Sequence, residues 1–252
     1  MGLLEGRVAI VTGASVGIGR GCAVRYAEEG AAVVAAARSA DKLESLVREI
    51  EAKGGRAVAV PCDVEREEDI DKVVETALGR FGKIDILANI AQGGNDDLTD
   101  IMGASRRNVL YAYATGPLQS LLFMQKCFPH MKARGYGRII NTSSNSLYNG
   151  TPGLTGYEMA KGAIQALTRN ASQEWAPFGI VTNCFIPLIK TEQFINSRFA
   201  AFEDQLVARV PVRRMGDPYN DCAPVLVFLA SEGAGYVNGQ VVAIDGGFRL
   251  IA

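Results

Sequence analysis

Residues Val8 to Gly19 read VAIVTGASVGIG, and this stretch decides the fold. A short run rich in β-branched residues ends at Thr12, and sequence of helical character follows Gly19. Between them Gly13, Gly17 and Gly19 stand in the spacing G-x3-G-x-G. Residues without a Cβ permit a tight turn and let the backbone approach a pyrophosphate, which then sits at the positive N-terminal end of the following helix. Glycine-rich turns also serve only to pack a helix against a strand. The order strand, loop, helix is what favours a dinucleotide, with Gly13, Ser15, Val16, Gly17, Ile18 and Gly19 as the residues that would hold it.

Outward from this loop, short apolar runs alternate with segments of helical period, the pattern of a parallel sheet joined by crossover helices. Strands are predicted at Val8 to Thr12, Ala32 to Ala37, Ala57 to Pro61, Ile84 to Asn89, Gly137 to Thr142, Ile180 to Phe185 and Gln240 to Ile244. Lys42 to Lys53 and Glu67 to Phe81 carry apolar residues every three or four positions among charges and read as amphipathic helices. The fold class is therefore α/β, a doubly wound Rossmann-type sheet of about seven parallel strands with helices on both faces. Residues 1–252 read as one dinucleotide-binding and catalytic domain. The segment at about 188–215 breaks the rhythm with Phe194, Phe199 and Phe202 among polar residues; a mobile substrate cover and a plain pair of surface helices fit it equally.

Composition excludes several classes. Of 252 residues, 48% are hydrophobic and 21% charged, which is globular rather than disordered. Lys plus Arg number 26 against 27 for Asp plus Glu, so no net field draws the chain to nucleic acid or an anionic membrane. The longest apolar runs, such as Ala31 to Ala37, fall far short of a membrane span, and the N-terminus shows no secretion signal. A cytoplasmic protein is expected. The five cysteines, Cys22, Cys62, Cys127, Cys184 and Cys222, have no C-x-x-C pair and read as buried free thiols. One histidine, His130, supplies neither a zinc cluster nor a Ser-His-Asp triad, so no metal is expected.

The second strand ends in Ala36-Ala37-Arg38-Ser39, with no carboxylate where one would bond both ribose hydroxyls. Arg38 instead offers a planar, permanently charged fork suited to a 2′-phosphate. NADP(H) is predicted, with NAD(H) the alternative; the plainer reading of Arg38 is a solvated arginine at a strand end. Farther on, Tyr157 and Lys161 lie four residues apart in helical sequence and share a face. A nearby ammonium and a positive oxidised nicotinamide would lower a tyrosine pKa from about 10 and make the phenol a usable acid or base near neutrality.

Thr12 to Gly19, Asp63-Val64, Ser144, Tyr157, Lys161 and Asp245-Gly246-Gly247 together resemble the short-chain dehydrogenase/reductase family over nearly the whole chain, with Ser144 thirteen residues before Tyr157. The resemblance implies Tyr157 as general acid in carbonyl reduction and base in alcohol oxidation, Ser144 polarising the substrate oxygen, and Lys161 holding the nicotinamide ribose. It further implies Asp63 and Val64 at the adenine, Asn89, Ala91, Ser39, Pro187 and Thr191 at the cofactor, and hydride passing between nicotinamide C4 and the substrate carbon. Gln92, Asn145, Tyr148, Phe194 and Phe199 would border the substrate, a small and rather apolar carbonyl or alcohol. A homodimer or homotetramer is suggested. A cofactor-binding sensor or scaffold with little turnover is the alternative, and dehydratase or epimerase chemistry stays open.

Three departures stand out. The family's Asn-Asn-Ala-Gly reads Asn89-Ile90-Ala91-Gln92, its Pro-Gly after the sixth strand reads Pro187-Leu188, and its fourth catalytic residue, an asparagine that holds a relay water, falls at Gly116. Pro117 has no N–H, so a continuing helix would leave the Tyr113 carbonyl unpaired and open to a water that replaces the missing one. Equally, Pro117 could start a new helix. Trp175 reads as a packing residue.

Overall fold

The computed structural model describes residues 2–93 and 99–249. Seven parallel strands form one sheet: β1 (Val8–Thr12), β2 (Ala32–Ala37), β3 (Arg56–Pro61), β4 (Ile86–Asn89), β5 (Gly137–Thr142), β6 (Ile180–Pro187) and β7 (Val241–Ile244). Their order across the sheet is β3-β2-β1-β4-β5-β6-β7, so the chain winds out from β1 in one direction, returns, and winds out in the other. The reversal falls between β1 and β4, the place where open α/β sheets leave a crevice at their carboxyl ends.

Alternation along the central strands sorts the core into two layers. Ala9, Val11, Val33 and Ala35 face one side, where they meet Cys22 and Tyr26 of α1 (Gly17–Glu28), Leu43, Leu46 and Ile50 of α2 (Ala40–Ala52), and Leu226 of the late helix Ala223–Ala230. Ile10, Val34 and Ala36 face the other, against Ile70 and Val73 of α3 (Glu67–Phe81) and Phe123 and Met124 of the helix Gln119–Arg134. Each fully buried Leu, Ile or Phe contributes about 1.5–3 kcal/mol by leaving water. Both sides of β1 and β2 are covered, which is why their sequence is apolar without interruption.

The expected strands are present, with shifts at their ends. β4 begins at Ile86; Asp85 just before it is fully buried, its carboxylate accepting the Val8 N–H at 2.9 Å and meeting Lys83 Nζ at 2.9 Å. β6 runs on to Pro187, held by pairing with Ile244 of β7. The predicted helix at Glu67 to Phe81 is found with those bounds.

Around Pro117 the structure differs from both expectations. Helix α4 (Arg106–Tyr113) passes through a π turn (Ala114–Leu118) into α5 (Gln119–Arg134) without a break. A π turn pairs a carbonyl with the N–H five residues on, as in the bond from Gln119 N–H to the Ala114 carbonyl. Under that pattern the Tyr113 carbonyl no longer waits for the N–H that Pro117 lacks. Neither a new helix nor the expected gap results. Pro129 and His130 likewise lie inside α5, whose C-cap is Gly135 in the left-handed region.

The helix α6 (Thr155–Trp175) packs on β5 and β6 on the same face as α3 and α5, and its terminal Trp175 stacks with Phe128 of α5, ring centres 4.6 Å apart. Between β6 and the late helix lie α7 (Glu192–Ile195), a 3-10 turn (Arg198–Phe202) and α8 (Glu203–Arg209); the late helix is α9 (Ala223–Ala230). All five cysteines are free and buried. No helix among the described residues is long and apolar enough to cross a membrane.

Candidate active site

The loops at the carboxyl ends of β1, β2, β4, β5 and β6 enclose a cleft of about 470 Å³. At one end lies the glycine loop. Gly13 has φ 67°, and a Cβ there would lie 2.9 Å from the Ala91 N atom; a Cβ on Gly19 would lie 2.2 Å from the Gly13 carbonyl oxygen. These glycines let the loop lie against both β4 and its own helix. Thr12 locks the arrangement, its Oγ1 accepting the N–H groups of Ile90 and Ala91 at 3.0 Å each. Helix α1 has no side-chain cap at Val16, which leaves its first N–H groups directed at whatever lies in the loop.

Arg38 stands exposed at the rim where β2 ends, with no ion-pair partner among the described residues. Ser39 and Lys42 line the cleft beside it. Asp63 and Val64 line the next stretch; the Asp63 carboxylate accepts the Glu65 N–H at 3.1 Å and fixes the turn after β3. Cleft walls of this kind fit a dinucleotide: a cradle that any Cβ would fill, an uncapped helix start, and a free guanidinium at one end.

The other end carries the chemistry. Ser144 follows β5, and its Oγ lies 2.9 Å from Ser146 Oγ and accepts the Ser146 N–H at 3.2 Å. Tyr157 and Lys161 descend one face of α6. Lys161 is 1% exposed and donates from Nζ to the Thr142 carbonyl at 2.7 Å, and Nζ stands 5.5 Å from the centre of the Tyr157 ring. Burial pushes the Lys161 ammonium down to about 7. Burial also raises the Tyr157 phenol above its usual value, and a hydrogen bond with Ser144 pulls the other way. The expected lowering of the tyrosine is thus not a property of the protein atoms by themselves. Desolvation dominates, since a lysine whose own charge is disfavoured offers the phenolate little support.

Most of the predicted residues meet in this cleft: Gly13, Ser15 to Gly19, Arg38, Ser39, Asp63, Val64, Ala91, Gln92, Ser144, Tyr157, Lys161, Pro187, Thr191 and Phe194 all line it. Four do not. Asn89 is buried under the floor, where its Nδ2 donates to Asn141 Oδ1 at 2.9 Å. Asn145 turns its Nδ2 to the Pro187 carbonyl at 3.2 Å. Tyr148 pairs with Gln165, whose Nε2 reaches the phenol oxygen at 3.1 Å, and Phe199 lies beneath the Arg198 guanidinium at 5.5 Å. The 3-10 turn Asn145–Tyr148 carries the second and third of these side chains off the cleft wall.

Sequence reasoning missed Tyr111, Thr115, Ser143, Gln193 and Met215, which also line the cleft. Tyr111 and Thr115 stand at i and i+4 ahead of Pro117, a spacing that puts them on one helix face and could have marked them. Nothing local distinguishes Ser143, which buries its hydroxyl against the Lys161 carbonyl at 3.2 Å.

A parallel doubly wound sheet with a glycine cradle at one end of its crevice and a Ser-Tyr-Lys group at the other defines a dinucleotide-dependent class of protein. Comparison with known proteins agrees. A family model described as enoyl-(acyl carrier protein) reductase matches residues 13–249. The chain is 33% identical over 245 residues to 7alpha-hydroxysteroid dehydrogenase of Escherichia coli (strain K12), covering 97% of this chain and 94% of the relative. It is 34% identical over 244 residues to a 3-oxoacyl-[acyl-carrier-protein] reductase of Staphylococcus epidermidis, covering 96% and 98%. A solved 7alpha-hydroxysteroid dehydrogenase, complexed with NADH and 7-oxo glycochenodeoxycholic acid, superposes with TM-score 0.92 at 31% identity, covering 97% of this chain and 94% of that one. The chain belongs to the short-chain dehydrogenase/reductase family and is an oxidoreductase of CH–OH groups.

Proposed function

We propose that the chain is an NADP(H)-dependent oxidoreductase that interconverts a carbonyl and an alcohol on a small, apolar substrate, with Tyr157 as the general acid and base. The observation that carries this reading is the meeting of Ser144, Tyr157 and Lys161 in one cleft with the glycine cradle. A bound nicotinamide dinucleotide would supply or accept the hydride. Gly13 and Ser15 to Gly19 would hold its pyrophosphate, Asp63, Val64 and Ala91 its adenine side, Pro187 and Thr191 its nicotinamide side.

The chain's own residues handle the proton. The Ser144 and Tyr157 hydroxyls line the same cleft, where both can polarise one carbonyl oxygen. In reduction Tyr157 gives its proton to the substrate oxygen as charge develops on it; in oxidation the same atom removes it. Lys161, titrating near neutrality, is the group next in line to restore that proton. Leu188, Ile189, Phe194 and Met215 line the neighbouring wall, which favours an apolar substrate. On this reading the chain works as one unit, and the segment at about 188–215 covers the substrate.

The preference for NADP(H) rests on Arg38, exposed and without an ion pair among the described residues, beside Lys42. NADPH oxidation measured over a panel of ketones and aldehydes, with the alcohols run in reverse, tests the activity. Turnover of at least one substrate that is lost in Tyr157→Phe is the expected result. Binding of nucleotide with no turnover anywhere in the panel would favour a sensor.

A further inference from the structure

The two positions at which the sequence departs most from its family's pattern, Gln92 and Gly116, are in contact. A Cβ on Gly116 would lie 2.5 Å from Gln92 Oε1 and 3.0 Å from Nε2. The glutamine side chain therefore fills the space that any side chain at 116 would need. Its amide is fixed: Nε2 donates to the Gly93 carbonyl at 2.7 Å and to the Ala112 carbonyl at 3.1 Å, and two carbonyl acceptors require the NH2 end there. That leaves Oε1, which is buried and has no partner among the described residues.

An unmet buried carbonyl oxygen destabilises the fold, and a donor placed beside it offsets that cost. The surroundings are anchored rather than loose. The Gly93 N–H donates to Thr115 Oγ1 at 3.2 Å, and Gln119 Nε2 reaches the Ala91 carbonyl at 3.3 Å, so the loop from Ala91 to Gly93 is fastened at three places along α4, the π turn and the start of α5. Gln92, Tyr111 and Thr115 line the same cleft as Tyr157 and Lys161. Lys161 spends one N–H on the Thr142 carbonyl and is otherwise enclosed, and the cleft it shares with Gln92 is its outlet to solvent.

We propose that Gln92 is a positioning residue for the proton relay: its Oε1, seated in the space that Gly116 vacates, accepts a hydrogen bond from a water that passes protons between solvent and Lys161. In carbonyl reduction Tyr157 loses its proton to the substrate oxygen, the phenolate takes one from the Lys161 ammonium, and the neutral amine takes one from the held water, which regains one from solvent. The oxidation runs the same transfers backwards. No electrons move in this chain of steps. The inference rests on the reading of Tyr157 as acid and base, and it makes the glycine at 116 and the glutamine at 92 one device: a carboxamide carried by the loop after β4 instead of by the helix.

Exchanging the two residues tests it. Gln92→Gly should lower kcat at least about tenfold, the low end of what acid and base groups contribute, with KM and nucleotide affinity within about twofold. Gly116→Asn alone should also lower kcat, because its side chain must displace the Gln92 amide. The double variant Gln92→Gly with Gly116→Asn should recover most of the loss in kcat and restore the wild-type solvent deuterium isotope effect. Gln92→Met, which keeps the length and loses the amide, guards against a simple folding defect and should behave as Gln92→Gly. The proposal is overturned if Gln92→Gly and Gln92→Met turn over like wild type, or if the exchange recovers nothing while all variants bind nucleotide normally. Tyr157→Phe run in parallel separates the two readings: retained turnover there defeats the assignment of Tyr157, whereas lost turnover with unaffected Gln92 variants defeats only this inference.

Discussion

Lys161 makes nucleotide-free stability depend on pH in a direction that can be worked out beforehand. Its unfolded pKa is about 10.4, while burial holds the folded value at about 7. Between those values the unfolded chain binds the proton that the native chain has released, so stability rises with pH through the window and is lowest below about 7. The buried thiols of Cys22, Cys62, Cys127 and Cys184, pushed up to about 12, act oppositely as pH approaches about 8.5, because they ionise only in the unfolded chain, so the lysine is read from the difference between the wild type and a variant that carries the same thiols. At about 1.4 kcal/mol per pH unit, and with the native lysine half titrated at the start, Lys161 should contribute on the order of 2 kcal/mol between pH 7 and 8.5. Urea unfolding at both pH values measures it, and Lys161→Met supplies the reference. The wild type should gain stability that the variant does not, whatever the variant's absolute stability. An identical pH response in the two proteins would refute the claim that Lys161 is buried at a cost to its charge.

Arg38→Asp should shift the preference from NADPH toward NADH by at least about tenfold in kcat/KM, since a carboxylate repels a 2′-phosphate and can bond a ribose hydroxyl; unchanged ratios would return Arg38 to the status of a solvated strand-end residue. Gly19→Ala places its methyl 2.2 Å from the Gly13 carbonyl oxygen, a backbone atom that cannot move freely, so nucleotide affinity should fall at least about tenfold in an equilibrium titration and unfolding should come earlier by about 1–3 kcal/mol. Tyr26→Phe removes a fully buried hydroxyl that donates to the Leu226 carbonyl at 3.1 Å, and should cost about 1–2 kcal/mol in the same urea assay with catalysis untouched.

The central strands were legible because they are buried on both faces. β1, β2 and β5 appear with the predicted bounds, and so does α3, whose acidic first turn and Gly82 in the left-handed region mark both ends. The glycine loop, Arg38 and Ser144 were legible because each follows the end of a strand, and Tyr157 and Lys161 because a spacing of four puts them on one face of α6. What sequence could not show were effects of contact between distant residues. The π turn absorbs Pro117, so a residue read as a break or a start is neither. Gln92 and Gly116 meet across 24 positions with no periodicity to announce it. Asn145 and Tyr148 were placed at the substrate by analogy, but a 3-10 turn after Ser144 points them elsewhere. The raised tyrosine also depends on three-dimensional enclosure, which a spacing of four residues does not encode.

Single-turnover reduction by enzyme preloaded with NADPH, wild type against Tyr157→Phe, tests the central assignment most directly. The account predicts that the variant binds nucleotide as the wild type does and reduces the carbonyl at least about a hundredfold more slowly, the loss appropriate to a missing general acid. A variant that reduces it at the wild-type rate would contradict the account.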